Sequence, residues 1–111
     1  QEDILERYFN ALNAHSPDQA AALYDSNGVH IDAERTLQGT EAIRTWYDQL
    51  FDQLLPGAVF TLGESSGDAS TRSFAWTASS TLGSVNDGSD SFGIVDGKIV
   101  YHYTEFSIDP A

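Results

Sequence analysis

The run Trp46-Tyr47-Asp48-Gln49-Leu50-Phe51-Asp52-Gln53-Leu54-Leu55-Pro56-Gly57-Ala58-Val59-Phe60-Thr61-Leu62 contains a change of period that decides the fold class. Before Pro56, Ile43, Trp46, Tyr47, Leu50 and Leu54 stand at i, i+3, i+4, i+7 and i+11, a helical stripe broad enough to face a core. Pro56-Gly57 stops that helix. Beyond it the pattern becomes strands divided by turn residues. The spacing predicts strands at Val59 to Ser65, at Ser73 to Leu82, around Asp90-Ser91-Phe92-Gly93-Ile94, and at Lys98 to Ile108. Gly67-Asp68, Asn86-Asp87-Gly88 and the hairpin signal Asp96-Gly97 separate them.

Upstream of this switch the chain reads mostly as helix. Ile4, Leu5, Tyr8, Phe9 and Leu12 form one apolar stripe between Glu2 and Ala14. Ser16-Pro17-Asp18-Gln19 is a helix start, with serine as cap and proline in the first turn. That second helix is expected to carry Leu23 and Tyr24 and to end near Asn27-Gly28. Val29-His30-Ile31-Asp32 reads as a short strand with His30 and Asp32 on one face. The third helix is expected to be capped by Thr40, with Glu41 in its first turn. Helices first and hairpins afterward make an α+β fold, and 111 residues suit a single domain spanning 1–111.

Bulk composition narrows the function classes. Hydrophobic residues make up 41% of the chain, enough for a core, and no run is long enough to span a membrane. Seventeen acids against five bases give a net charge of −12, a field that repels nucleic acid and anionic membranes. Adaptation to high salt and the plain solubility of an acidic bacterial protein both account for it. With no cysteine there is no disulfide, thiol nucleophile or cysteine–zinc site. There is no phosphate loop, dinucleotide fingerprint or Gly-x-Ser-x-Gly elbow, so no cofactor is expected. Gln1 opens a chain without methionine, as expected of a processed or trimmed start, and the default location is the cytoplasm.

Two acids stand out. Alternation puts Asp90 on the face of Phe92 and Ile94, and Asp32 on the face of His30. A buried carboxyl either takes a proton or finds strong donors; at a strand end the same residue would be solvated or cap a turn. Tyr8 and Tyr47 lie on helix stripes that must face the sheet, so two tyrosines and two carboxyls are expected to converge on one apolar cavity. Trp76, Trp46, Phe92 and Phe106 are candidates for its walls.

Arg7-Tyr8-Phe9-Asn10-Ala11-Leu12-Asn13-Ala14, the strand ending in Asp32, and Gly39-Thr40-Glu41-Ala42-Ile43-Arg44 resemble Δ5-3-ketosteroid isomerase. More broadly the chain is similar to the nuclear transport factor two-like superfamily, which includes SnoaL-type polyketide cyclases. The resemblance implies a cone-shaped, curved antiparallel sheet wrapped around three N-terminal helices. It also implies a small hydrophobic ligand and a homodimer through the outer sheet face. Carried over, the catalytic base falls on Asp32, the oxyanion tyrosine on Tyr8 and its supporting tyrosine on Tyr47. The protonated carboxyl donor falls on Asp90. His30 and His102 depart from the isomerase pattern. Gly97-Lys98-Ile99-Val100-Tyr101-His102 instead resembles SnoaL-like cyclases, in which a histidine often follows such a turn. His30 is therefore an alternative base, and His102 a residue of the pocket wall. The implied activity is cofactor-free proton transfer on a hydrophobic carbonyl compound. The alternative is a non-catalytic ligand-binding or dimerisation module of the same fold.

Overall fold

The computed structural model describes residues 3–111. Three α-helices, α1 (Ile4–Asn13), α2 (Pro17–Ala21) and α3 (Thr40–Gln49), accompany seven strands. These are β1 (Tyr24–Ile31), β2 (Thr36–Gln38), β3 (Val59–Gly67), β4 (Thr71–Ser79), β5 (Gly83–Val95), β6 (Lys98–Glu105) and β7 (Asp109–Pro110). One curled, unclosed sheet runs in the order β2-β1-β6-β5-β4-β3, with β7 paired to β5. All pairings are antiparallel except β1 with β6, which is parallel. The α+β expectation holds, and that one parallel pairing is the departure from a wholly antiparallel sheet.

The stripe of α1 is buried as its spacing predicts. At its C-terminal end the Asn13 amide substitutes for a strand neighbour. Its Nδ2 donates to the Phe60 carbonyl at 2.9 Å, and its Oδ1 accepts from the Phe60 amide at 2.8 Å. At the other end Arg72 grips both oxygens of Asp3 and holds that carboxyl below its ordinary value. Ser16 caps α2 by accepting from the Gln19 amide at 3.1 Å.

Four local expectations are corrected. First, Tyr24 belongs to β1 rather than to a prolonged second helix. The Leu23 carbonyl accepts from the Ile99 amide and Tyr24 is in register with Ile99, so pairing with β6 overrides local helix preference. Second, Thr40 is the first residue of α3, and the cap position is Gly39, whose φ of 91° suits glycine. Third, the end of the α3 stripe changes phase. Leu50–Leu54 form a π-helical turn in which the Leu55 amide donates to the Leu50 carbonyl, and the wider turn rotates the side chains that come after it. Phe51 and Leu55 are therefore buried, and Leu54 is exposed. Fourth, Asn86-Asp87-Gly88 lies inside β5, and the turn sits earlier, closed by Ser80 and Gly83. Leu82 is consequently in that turn and exposed.

On β4, Phe74, Trp76 and Ala78 point inward while Ser73, Thr77 and Ser79 face out, as alternation predicts. Tyr8, Phe9, Phe74 and Phe92 meet edge to face with ring centroids 5.1–6.1 Å apart, joining α1 to the sheet. Among the described residues no helix is long and apolar enough to cross a membrane.

Candidate active site

Sheet register assembles the site. On β6, His102 is opposite Phe92 of β5 and beside His30 of β1; two residues on, Thr104 is opposite Asp90. Asp90 is also opposite Phe74 of β4, and Trp76 is opposite Gly88. A Cβ on Gly88 would stand 2.4 Å from the Trp76 ring, so only glycine leaves room for the indole there. From that position Trp76 Nε1 donates to Asp90 Oδ1 at 2.7 Å.

Asp90 is 4% exposed and its oxygens are occupied. Oδ1 accepts from Trp76 and from the Thr104 hydroxyl at 2.8 Å, while Oδ2 meets His102 Nε2 at 2.5 Å. The carboxyl therefore faces donors of the protein itself, where the resemblance implied a free donor toward a ligand. His102 passes the contact onward. Its Nδ1 meets the Tyr24 hydroxyl at 2.6 Å; Tyr24 meets Tyr47 at 2.5 Å, and Tyr47 meets Tyr8 at 2.9 Å. Burial pushes the Tyr8 and Tyr24 phenols well above their ordinary value, reinforced by the neighbouring Tyr47, and burial raises Tyr47 too. All three remain neutral hydroxyls. Tyr8 is the free end of this relay.

His30 is 1% exposed and its Nδ1 has no hydrogen-bond partner. Burial, aided by His102 4.7 Å away between ring centroids, pushes its imidazolium down to about 2, so the ring is neutral. A neutral imidazole carries one donor and one acceptor nitrogen. Leaving a buried one unpaired costs about 1–3 kcal/mol.

Asp32 lies just past the end of β1 and is half-buried. Its Oδ1 accepts from the Glu34 and Arg35 amides at 2.8 and 2.9 Å, fixing a turn, and Oδ2 is 3.6 Å from Arg35 Nε. Arg35 is itself held above the Trp46 ring at 5.4 Å. One carboxylate oxygen thus anchors the loop and the other pairs with Arg35, on the wall of an open chamber.

Two adjoining cavities share Trp46, Thr104 and Phe106. The inner one reaches Tyr8, His30, Tyr47 and His102, and its volume of about 20 Å³ holds roughly one water molecule. The outer one is about 750 Å³ and is walled by Asp32, Arg35, Leu54, Asp87 and Ile108, among others. Tyr8, His30, Tyr47, His102 and Asp90 therefore converge on the inner cavity, while Asp32 lines only the outer one. Phe92 lines neither cavity and backs the rings of Tyr8 and His102. Among the described residues no cluster of three or more His, Asp or Glu is arranged to hold a metal ion.

Sequence reading missed Tyr24 because it was assigned to a helix. Alternation offered little signal, because Ser26 and Asn27 are exposed and the pairing slips between Tyr24 and Val29. Thr104, two residues beyond His102 on the same buried face of β6, was not singled out in the sequence.

The SnoaL-like domain family matches residues 5–102. The chain belongs to that family. Among curated proteins none matches. Solved structures of similar fold include a protein provisionally assigned as a polyketide cyclase from Sinorhizobium meliloti. It is 22% identical, with 94% of each chain covered and a TM-score of 0.77. Another is a hypothetical protein with a ketosteroid isomerase-like fold from Catenulispora acidiphila, in complex with trimethylamine. It is 12% identical, with 94% of this chain and 85% of that one covered and a TM-score of 0.78. A third is an LEH-like epoxide hydrolase of M. tuberculosis, 18% identical, with 94% and 80% covered and a TM-score of 0.73. In this SnoaL-like chain the tyrosine–histidine–aspartate relay runs beside the inner cavity.

Proposed function

We propose that this SnoaL-like protein is a cofactor-free proton-transfer enzyme acting on a small hydrophobic carbonyl compound. The observation that carries the reading is the Tyr8 hydroxyl, which ends a buried hydroxyl relay inside a cavity with room for little more than a carbonyl oxygen. The outer chamber falls in the size range of small-molecule sites and would hold the rest of the substrate.

In this scheme Asp32 Oδ2 removes a proton alpha to the carbonyl and returns it to another carbon. Charge building on the oxygen is met by Tyr8 at the relay's end, in a site walled by Leu12, Leu50, Phe60 and Phe106. A donor held ready in dry surroundings stabilises the transition state more than the ground state. His30 contributes a neutral imidazole beside the same oxygen, in the manner of an electrophile rather than a strong base. Solved structures of this fold whose descriptions name a polyketide cyclase and an epoxide hydrolase support a pocket used for chemistry. A homodimer through the outer sheet face, where Val59 and Tyr101 are exposed, belongs to the same proposal, and sedimentation tests it.

The test is the rise in conjugated-enone absorbance on adding a 3-oxo-Δ5-steroid or a smaller β,γ-unsaturated cyclic ketone, with Asp32→Asn as control. Turnover lost in the variant supports the scheme. Absence of turnover on both compounds by folded protein sinks it, and leaves a binding module of the same fold.

A further inference from the structure

Tyr8, Tyr47, Tyr24, His102 and Asp90 form one unbranched chain of hydrogen bonds. Each tyrosine hydroxyl has a single proton and can donate in one direction only. Asp90 Oδ1 is filled by the Trp76 and Thr104 donors. Oδ2 and His102 Nε2, 2.5 Å apart, need a proton between them, because two bare lone pairs at that distance repel.

The pair can then carry one proton or two. With one, His102 Nδ1 is bare and accepts from Tyr24; Tyr24 accepts from Tyr47, and Tyr47 from Tyr8. Tyr8 has spent its proton on Tyr47 and offers the cavity lone pairs only. With a second proton on Nδ1 every bond reverses. Nδ1–H donates to Tyr24, Tyr24 to Tyr47 and Tyr47 to Tyr8, and the Tyr8 O–H turns toward the cavity. No heavy atom has to move.

We propose that His102, together with Asp90, is the positioning residue for Tyr8: a second proton on the pair converts Tyr8 from hydrogen-bond acceptor to donor. One state selects a carbonyl compound, and the other an alcohol or amine that brings its own proton. This deepens the proton-transfer reading and rests on it only for the ligand's identity. The titratable groups facing the pair are Tyr24 and His30 from β1, Tyr8 from α1 and, through Tyr24, Tyr47 from α3. Three of them are the relay itself. His30 stands beside it, making no hydrogen bond to it.

The experiment is an NMR titration of the ligand-free protein between about pH 4 and pH 9, following histidine nitrogens and tyrosine Cζ carbons. The Tyr8 and Tyr47 signals should move at the midpoint of His102. Tyr24→Phe, which cuts the chain and keeps the ring, should abolish the Tyr8 movement while His102 still titrates. If that variant does not fold, Tyr47→Phe removes the bonds of Tyr47 to both Tyr24 and Tyr8, and should leave Tyr24 moving while Tyr8 stays still. In parallel, cyclohexanone should bind wild-type protein about tenfold more weakly per pH unit above the midpoint, and Tyr24→Phe without that slope. A Tyr8 signal indifferent to His102, a His102 that does not titrate over the range, or a Tyr8 response surviving Tyr24→Phe overturns the switch. Co-titration with no cyclohexanone binding upholds the switch and sinks the carbonyl reading, so the two failures are told apart.

Discussion

Trp76 covers Gly88 across the β4–β5 pair, and the same placement brings its Nε1 within 2.7 Å of Asp90. A glycine with no catalytic group of its own thus decides whether the buried carboxyl has its indole donor. Gly88→Ala should displace the indole and lower stability by about 1–3 kcal/mol, the usual range for overpacking. Gly93→Ala is the control, since a Cβ there meets its nearest neighbour at an ordinary 3.5 Å. Urea unfolding of the two variants, with the indole N–H resonance as local reporter, checks both expectations. Equal losses would remove the steric explanation.

Asp90→Ala leaves Trp76 Nε1, the Thr104 hydroxyl and His102 Nε2 without an acceptor in the interior. The expected loss is about 3 kcal/mol or more. Asp90→Asn keeps an oxygen for Trp76 and Thr104 and should cost clearly less. Denaturation midpoints of the pair separate the value of those two bonds from that of the histidine contact.

His30 gives stability a pH dependence of known sign. Its folded value of about 2 lies below the ordinary histidine value of 6.5, so below that pH the unfolded chain binds a proton that the folded chain refuses. Stability from this group is complete above the unfolded value and is lost as pH falls, by up to about 1.4 kcal/mol per pH unit. His30→Phe should flatten the melting-temperature profile between about pH 6 and pH 4 relative to wild type. A difference profile with no slope would contradict a neutral His30.

Tyr8→Phe deletes a hydroxyl with one protein partner, so stability should change by only about 1 kcal/mol. Turnover on a carbonyl substrate should fall by about 10²–10³-fold, as for loss of an oxyanion donor. The effect should fall on kcat more than on KM.

Asp32→Asn retains an oxygen that can accept from the Glu34 and Arg35 amides, so the turn and the melting temperature should persist. Loss of the base should lower kcat by about 10²–10⁴-fold. Unchanged kcat in a well-folded variant would shift the role of base away from Asp32.

The outline of the fold was legible wherever one period held over a whole element. α1, the front of α3 and β4 each bury the stripe their spacing predicts. Errors clustered where a non-local contact overruled a local signal. Tyr24 follows a helix but is claimed by β6; Leu54 is turned out by a π-helical turn; Asn86-Asp87-Gly88 has turn composition yet lies within a paired strand. The site was legible in its residue types and not in its connections. Alternation put Asp90 on an inward face and the resemblance put His102 in the pocket wall, but their contact depends on a diagonal between neighbouring strands. That diagonal is set by register, and register by the slip between Gly93 and Ile94. Tyr24, needed to join His102 to Tyr47, was hidden by the same mistaken helix.

The parallel pairing of β1 with β6 has a consequence for how the chain is made. His30 and His102 are neighbours in the sheet although 72 positions separate them in sequence. A nascent chain that has emerged only as far as β5 holds β1 and β5 with open edges, and Tyr24 and Asp90 without the imidazole that joins them. Exposed edges of that kind invite pairing with other chains, and distant pairings form slowly. Closing the strand order and completing the relay are therefore one event, and a ribosome stalled before Lys98 would present an unfinished pocket and an unprotected sheet together.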